Sequence, residues 1–202
     1  MAMRVPPSGF GGRVANMIEI ISNILTGFGL SVSAGLNAYI PLLTVALLAR
    51  FTNLIRLSHP YDTLTNGWVI GALVVLAAIE VVADKIPAVD TVYNILQSIA
   101  RPAAGAILFA ASSKVITDVH PALALICGLL VAGSVHAVKT AARPVITAAT
   151  GGAGNPVVSS AEDVVSGTVS IVSILMPLLA VVLIMVGLWV ILKPLRSTES
   201  TS

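Results

Sequence analysis

The chain has 202 residues, of which 56% are hydrophobic, 10% charged and 4% aromatic, with a formal net charge of +2 and a mean hydropathy of +0.98. A soluble domain carries about 25% charged residues; a water-soluble fold cannot cover this much apolar surface, so lipid must serve as part of the solvent. The near-neutral balance, with no basic block, excludes a nucleic-acid partner, and the single cysteine, Cys127, excludes an internal disulfide framework and reads as a small apolar core residue.

Within lipid every backbone N–H and C=O must be satisfied internally, which leaves helices or closed barrels. The apolar runs are long and unbroken rather than alternating, which selects helices. The expected fold is therefore all-α: a polytopic helical membrane domain over residues 14–192 with about five apolar segments, one of them a candidate re-entrant segment, plus amphipathic interfacial helices.

Residues 1–13 hold two prolines, three glycines and two arginines and read as a flexible basic arm. Arg4 and Arg13 resemble the start of a secretory signal, with Ser31-Val32-Ser33-Ala34 as a small-residue site, but apolarity continues to Ala49, so the segment reads as retained. Residues 14–50 are too long for one upright span. Gly27, Gly29, Gly35 and Pro41 weaken a helix there, and Ser31, Ser33 and Asn37 bring polar atoms to its middle. The expectation is an interfacial helix near 14–27, with Glu19 and Asn23 on one face, and a span near 30–50. The alternative is a helix unwound around Gly35, as in transporters whose broken helices offer backbone groups to a substrate.

Residues 51–66, with Arg56, His59-Pro60, Asp62 and Asn66-Gly67, are a polar loop in which His59 reads as solvated. Trp68 and Trp189 lie near the ends of their runs, where interfacial anchoring places them. The next span runs from Gly67 to Ala83 and ends in Glu80, Asp84, Lys85 and Pro87. Residues 89–99 follow with Val89, Val92, Leu96 and Ile99 at helical spacing, an amphipathic helix expected along the surface or the bundle edge. Arg101-Pro102 opens the alanine-rich run 103–111, a buried segment barely long enough to cross even from Ile95. After a linker from Ser112 to Pro121 containing Lys114, Asp118 and His120 comes a span from Ala122 to Val138, then Lys139, Arg143-Pro144 and a glycine loop at 150–156. That loop lacks the Lys-Ser/Thr of a phosphate-binding loop. Ser160-Ala161-Glu162-Asp163 reads as a helix N-terminus with acids in its first turn. The longest run, Val164 to Leu192, is interrupted only by Pro177, and residues 193–202 read as a polar tail.

Residues 71–87 and 128–144 echo each other: an apolar helix ends in an ionisable residue, then a cation, then a proline, and another apolar run follows. Units 67–113 and 122–185 are thus a candidate duplication, parallel if 103–111 crosses and inverted if it dips in and returns.

Glu80 and Asp84 lie four residues apart on one helix face, as do Lys139 and Arg143, with His136 one turn before Lys139. Such groups are costly alone in low dielectric and pairing offsets the cost; the alternative is that headgroup-level water solvates them. In the functional reading Glu80, Asp84 and His136 line a polar path as proton or cation carriers, with Lys139 and Arg143 as counter-charges or anion binders, Lys85 a further candidate of the polar core and Asn37 at a broken helix. There is no Gly-x-Ser-x-Gly, no His-Glu-x-x-His and no cysteine pair, so the expectation is no enzyme activity, no cofactor and no metal site. Cations at both termini and after each span leave the membrane orientation undetermined.

Gly29-Leu30 with Ala34-Gly35-Leu36-Asn37-Ala38-Tyr39-Ile40-Pro41, Glu80 with Ala83-Asp84-Lys85-Ile86-Pro87 and Val89-Asp90, Arg101-Pro102-Ala103-Ala104-Gly105-Ala106, and Ser160-Ala161-Glu162-Asp163 together resemble domain-of-unknown-function family 4126. Ala83-Asp84-Lys85-Ile86-Pro87 is the most specific of these elements, and the likeness covers nearly the whole chain. The resemblance implies a small polytopic protein of bacterial type, hence of an inner membrane, and carries no activity or site assignment.

Function is accordingly expected to be transport of an ion or small solute by a transporter or channel-like protein. A structural or accessory membrane subunit, whose charges only fix helix packing, is the alternative. A third reading, lipid handling, rests on helix 89–99 alone. Expected partners are membrane lipid and a second copy or a larger membrane complex, because about five short spans enclose little room for a path.

Overall fold

The computed structural model describes residues 10–85, 87–113 and 120–197. Among them the secondary structure is helical throughout: α1 (Phe10–Leu36), α2 (Tyr39–Phe51), a short 3-10 turn (Tyr61–Thr65), α3 (Gly67–Ala83), α4 (Pro87–Ser113), α5 (Pro121–Thr150), α6 (Asn155–Leu175) and α7 (Pro177–Ser197). Four of these contain a stretch long and apolar enough to cross a membrane, Gly12–Leu36, Ile95–Ser112, Pro121–Thr150 and Asn155–Leu175, and shorter apolar helices accompany them. The chain is a polytopic helical membrane protein.

The first long segment does not divide into an interfacial helix and a span. Helix α1 runs unbroken through Gly27, Gly29 and Gly35, and the interruption falls two residues beyond Gly35, at Asn37–Ala38. The glycines keep neighbours close instead of breaking the helix. A Cβ on Gly27 would sit 3.2 Å from the Phe109 ring, and one on Gly35 would lie 2.7 Å from the Ala132 carbonyl oxygen. Pro41 lies in the first turn of α2, where a missing N–H removes no intrahelical bond.

Inter-helix contacts fix the direction of each element. Ser31 Oγ donates to the Gly105 carbonyl at 3.0 Å while Gly27 packs on Phe109, so α4 runs antiparallel to α1. Ser33 meets Ser166 and Thr26 meets Ser173, so α6 is antiparallel to α1 as well. By contrast Asn37 meets Asp163 and Ile40 lies beside Gly167, so α2 runs with α6. The chain therefore reverses at Asn37–Ala38 and α2 folds back towards the end from which α1 came. Helix α3 returns antiparallel to α2, with Glu80 at Ala38 and Arg50 reaching the Thr65 carbonyl beside Gly67. A second sharp bend separates α6 from α7. Ser173 and Ala180 both approach Gly29, although seven residues of straight helix would set them about 10 Å apart.

The amphipathic stretch 89–99 and the apolar run 103–111 form one helix, α4, with Pro102 inside it. The linker residues 114–119 lie outside the described residues, as do residues 1–9 of the N-terminal arm and 198–202 of the tail; helix α1 already covers Phe10–Arg13 and α7 extends over Lys193–Ser197. Helix α6 begins at Asn155, not at Ser160, with Pro156 in its first turn.

Small residues make the inner contacts. Ala34, Ala38, Ala46, Ala104 and Ala132 are buried with Leu30, Leu42, Val45, Leu73 and Leu108 in one core, and Gly105 and Gly128 leave room for α4 and α5 to cross at backbone distance. Large apolar side chains such as Val74, Leu130, Val138 and Leu178 point outward, as lipid requires.

Candidate functional site

The reversal at Asn37–Ala38 exposes two helix ends deep in the bundle, the carbonyl end of α1 and the amide end of α2, which carry about half a negative and half a positive charge respectively. Each is met by a charge of opposite sign. Lys139 Nζ donates to the Leu36 carbonyl at 3.0 Å. The Glu80 carboxylate accepts the Ala38 amide at 3.0 and 3.1 Å and the Tyr39 amide at 3.3 Å. Asn37 Oδ1 accepts the amides of Tyr39 and Ile40 at 3.1 and 3.0 Å, while its Nδ2 donates to Asp163 Oδ1 at 2.9 Å.

Arg101, from α4, is fully buried and ties these groups together. Its Nε and Nη2 donate to Glu80 Oε1 at 3.2 and 3.0 Å, and Nη2 also reaches Asp84 Oδ2 at 3.1 Å. Its Nη1 lies 3.1 Å from His136 Nδ1; an arginine can only donate, so that nitrogen accepts, which places any proton of the neutral imidazole on Nε2, 3.2 Å from Ser98 Oγ. Asp84 Oδ2 takes a further bond from Lys139 at 3.0 Å, with Arg143 at 4.0 Å. Glu162 Oε2 pairs with Lys139 at 2.9 Å and Arg143 at 2.8 Å, and Lys85 closes the set at 3.5 Å from Asp163.

Three cations (Arg101, Lys139, Arg143) and three acids (Glu80, Asp84, Glu162) thus form one connected, net-neutral set of ion pairs drawn from α4, α5, α6 and the C-terminal end of α3, and a fourth pair, Lys85–Asp163, joins the cluster through Asn37, which bonds Asp163 and shares the Tyr39 amide with Glu80. Isolated, any of the buried members, Glu80, Asp84, Arg101, Lys139 or Arg143, would cost several kcal/mol. Together they neutralise one another and satisfy a broken backbone. Asp84 Oδ1 and Arg143 Nη1 are buried with no hydrogen-bond partner. These atoms sit within the network and are the places where a water or a small ion would complete it. Among the described residues no group of three His, Cys, Asp or Glu side chains is arranged to hold a metal ion.

All seven residues singled out in the sequence, Asn37, Glu80, Asp84, Lys85, His136, Lys139 and Arg143, meet in this cluster. Arg101, Glu162 and Asp163 were not among them. Arg101 was read as the opening of an apolar run, yet Gln97 and Arg101 stand four apart and both are buried, while Ile95, Leu96 and Ile99 are exposed. Where its side chains are described, the stretch faces the opposite way from that expected of a surface helix: Ile95, Leu96 and Ile99 meet the surroundings while Gln97 faces the bundle. The side chains of Val89 and Val92 lie outside the described set. Glu162 and Asp163 are not first-turn acids of a helix. They lie two turns inside α6 and point at α5 and at the reversal.

The family described as Domain of unknown function (DUF4126) matches residues 24–197, and the chain belongs to it. No curated protein and no solved structure matches.

Proposed function

For a member of this family built in this way, we propose that the protein moves an ion or small solute across the membrane, with the charge cluster at the α1/α2 reversal as the polar core of the path. The observation that carries the proposal is the gathering of four cations and four acids at a helix reversal, with Glu80, Asp84, Arg101, Lys139 and Arg143 buried and a carboxylate oxygen and a guanidinium nitrogen left unpartnered among them. Ionisable groups within membrane segments are expensive and are kept where a polar substrate must pass. Helix interruptions serve the same purpose, because they turn backbone amides and carbonyls towards it. Glu80 and Asp84 are the acids that a passing cation or proton would meet. Arg101, Lys139 and Arg143 hold them in place.

A second reading, an accessory subunit in which the cluster only locks the packing, is favoured by the way Glu80 and Lys139 satisfy the two helix ends. Purified protein in proteoliposomes, assayed with a panel of cations, anions and pH-sensitive dyes, separates the two. Transport predicts flux that the Glu80→Gln/Asp84→Asn double variant abolishes. Flux unchanged by that variant removes Glu80 and Asp84 from the mechanism, and no flux for any species while the same variant lowers thermal stability leaves the structural role alone.

A further inference from the structure

Six buried side-chain atoms without a hydrogen-bond partner among the described residues converge on one region: Asp84 Oδ1, Arg143 Nη1, both amide atoms of Gln97, Ser159 Oγ and Asn155 Oδ1. Helix directions place them on one side of the reversal. Ser98 and Arg101 meet His136 while Gly105 meets Gly128, so α5 runs antiparallel to α4 and with α1. Lys139 marks the level at which α1 ends, through the Leu36 carbonyl, and Arg143 stands one turn beyond it on α5. Gln97 is likewise one turn beyond Arg101 on α4, and Ser159 and Asn155 are one and two turns beyond Asp163 on α6. At that level α1 has ended, α2 has turned back and α3 stops at Ala83 with Asp84 at its tip, so α4, α5 and α6 surround the free atoms. On the other side of the reversal, α4 and α5 close on each other and on α1, where Gly35 and Gly105 both pack on Ala132.

The free atoms are matched in sign. Asp84 Oδ1 shares a negative charge and only accepts; Arg143 Nη1 shares a positive charge and only donates. Their companion atoms, Asp84 Oδ2 and Arg143 Nη2, are 4.0 Å apart, so one small molecule reaches both groups. Gln97 adds a free donor and a free acceptor from a third helix. A lone cation would satisfy the carboxylate and be repelled by the guanidinium, and a lone anion would meet the reverse. Either would also leave an uncompensated charge in a set of ion pairs that is already balanced, which low dielectric makes costly.

We propose that this region binds a small zwitterion, a molecule with one ammonium and one carboxylate such as a neutral amino acid, and that this is the species transported, an inference that rests on the transport reading above. The ammonium donates to Asp84 Oδ1 and the carboxylate accepts from Arg143 Nη1, two charge-assisted bonds of opposite sense. Gln97 takes a remaining N–H or oxygen of the solute. Binding leaves the net charge of the cluster at zero, so the solute brings no new charge into the bundle. Ser159 and Asn155, nearer the turn at 151–154, line the approach from that end.

The test uses the full chain in proteoliposomes with labelled glycine, alanine and glutamine. Acetate, methylammonium and acetamide serve as anionic, cationic and uncharged counterparts, with sodium, potassium and chloride alongside and protein-free liposomes as the baseline. Wild-type protein is expected to take up at least one of the amino acids faster than any counterpart. Gln97→Leu removes both free amide atoms at nearly constant volume. It is expected to raise the half-saturating amino-acid concentration about tenfold, the worth of one hydrogen bond to a charged group, while the fold stays as stable as wild type or becomes more so. Arg143→Gln leaves the cluster net negative and is expected to lose amino-acid uptake and gain methylammonium uptake; if it does not fold, Gln97→Leu still decides. Ser134→Ala is the control, since that exposed hydroxyl only returns to the Leu130 carbonyl of its own helix. Amino-acid uptake untouched by Gln97→Leu and Arg143→Gln overturns the site, and acetamide uptake as fast as that of the amino acids overturns the reading of charge. Flux of an inorganic ion without any amino acid overturns the zwitterion while leaving transport standing, and no flux of any species overturns both.

Discussion

Replacing Arg101 by alanine tests the burial of the cluster directly. The substitution removes both donors to Glu80 Oε1, at 3.0 and 3.2 Å, the 3.1 Å bond to Asp84 and the 3.1 Å contact with His136. It leaves three cations facing four acids, and Glu80 keeps only the backbone amides of Ala38 and Tyr39. Breaking a buried ion pair by removing one partner costs about 3–5 kcal/mol, most of it the penalty on the charge left behind. Lys85→Ala is the internal scale: that side chain is 33% exposed and 3.5 Å from Asp163, so its loss costs about 0–1 kcal/mol. If charge is the cause, Arg101→Met combined with Glu80→Gln recovers much of the loss, with a coupling of about 0.5–3 kcal/mol. The measurement is unfolding in mixed micelles with increasing SDS, followed by helical circular dichroism, on these three variants, the Arg101→Met and Glu80→Gln single variants and wild type. An Arg101→Ala protein no less stable than Lys85→Ala would mean that water already bathes the cluster, and the buried-network argument would fall.

Four further substitutions test the reversal and the helix crossings. Asn37→Ala removes the side-chain acceptor for the Tyr39 and Ile40 amides and should cost about 1 kcal/mol, the usual worth of an N-cap; no change in the same unfolding assay would mean that Glu80 alone caps α2. Gly128→Ala places a Cβ 2.7 Å from Phe109 Cβ and 2.8 Å from the Ala106 backbone and should cost about 1–3 kcal/mol by overpacking, whereas Gly71→Ala, with nothing within 4 Å of the new Cβ, should be neutral or slightly stabilising. Ser31→Ala, which gives up the 3.0 Å bond to the Gly105 carbonyl, should cost about 0.5–1.5 kcal/mol, and a larger loss would point to a wider rearrangement of the α1–α4 contact.

The membrane class and the convergence of acidic and basic helix ends were legible because a charge inside an apolar run has few alternatives to pairing. Glu80, Asp84, Lys139 and Arg143 stood out for that reason, and Asn37 because a polar amide in the middle of an apolar segment, four residues before a proline, marks a helix break. The position of the break was legible only to within two residues. Gly35 looked like the weak point by propensity, but propensity is overridden where a missing Cβ permits a close contact, here with Val135 and the Ala132 carbonyl. Arg101 and the 89–99 stretch were misread for a different reason. Amphipathicity gives two faces without saying which solvent each one meets, and in a bundle surrounded by lipid the polar face turns inward. Glu162 and Asp163 were hidden by a pattern that fits a helix start, because nothing in Asn155-Pro156 outweighs Ser160 as a cap until the fold is known.

The packing role and the proposed transport role of the cluster place related demands on Lys139. Its ammonium holds the Leu36 carbonyl, Asp84 and Glu162 at once, so it couples the end of α1 to the charge state of two acids on two other helices. Protonating Glu162 would remove the acid that Lys139 and Arg143 share, leaving those cations and Asp84 as the nearest charges. The balance would then shift towards Asp84, whose second oxygen is still unpartnered. A cluster that served packing alone would gain nothing from that free oxygen, since each unmet buried acceptor costs stability. Lys139→Met separates these demands: it should destabilise the α1 end in micelles and also change the ion selectivity of any flux, whereas a change in stability with selectivity intact would confine Lys139 to the fold.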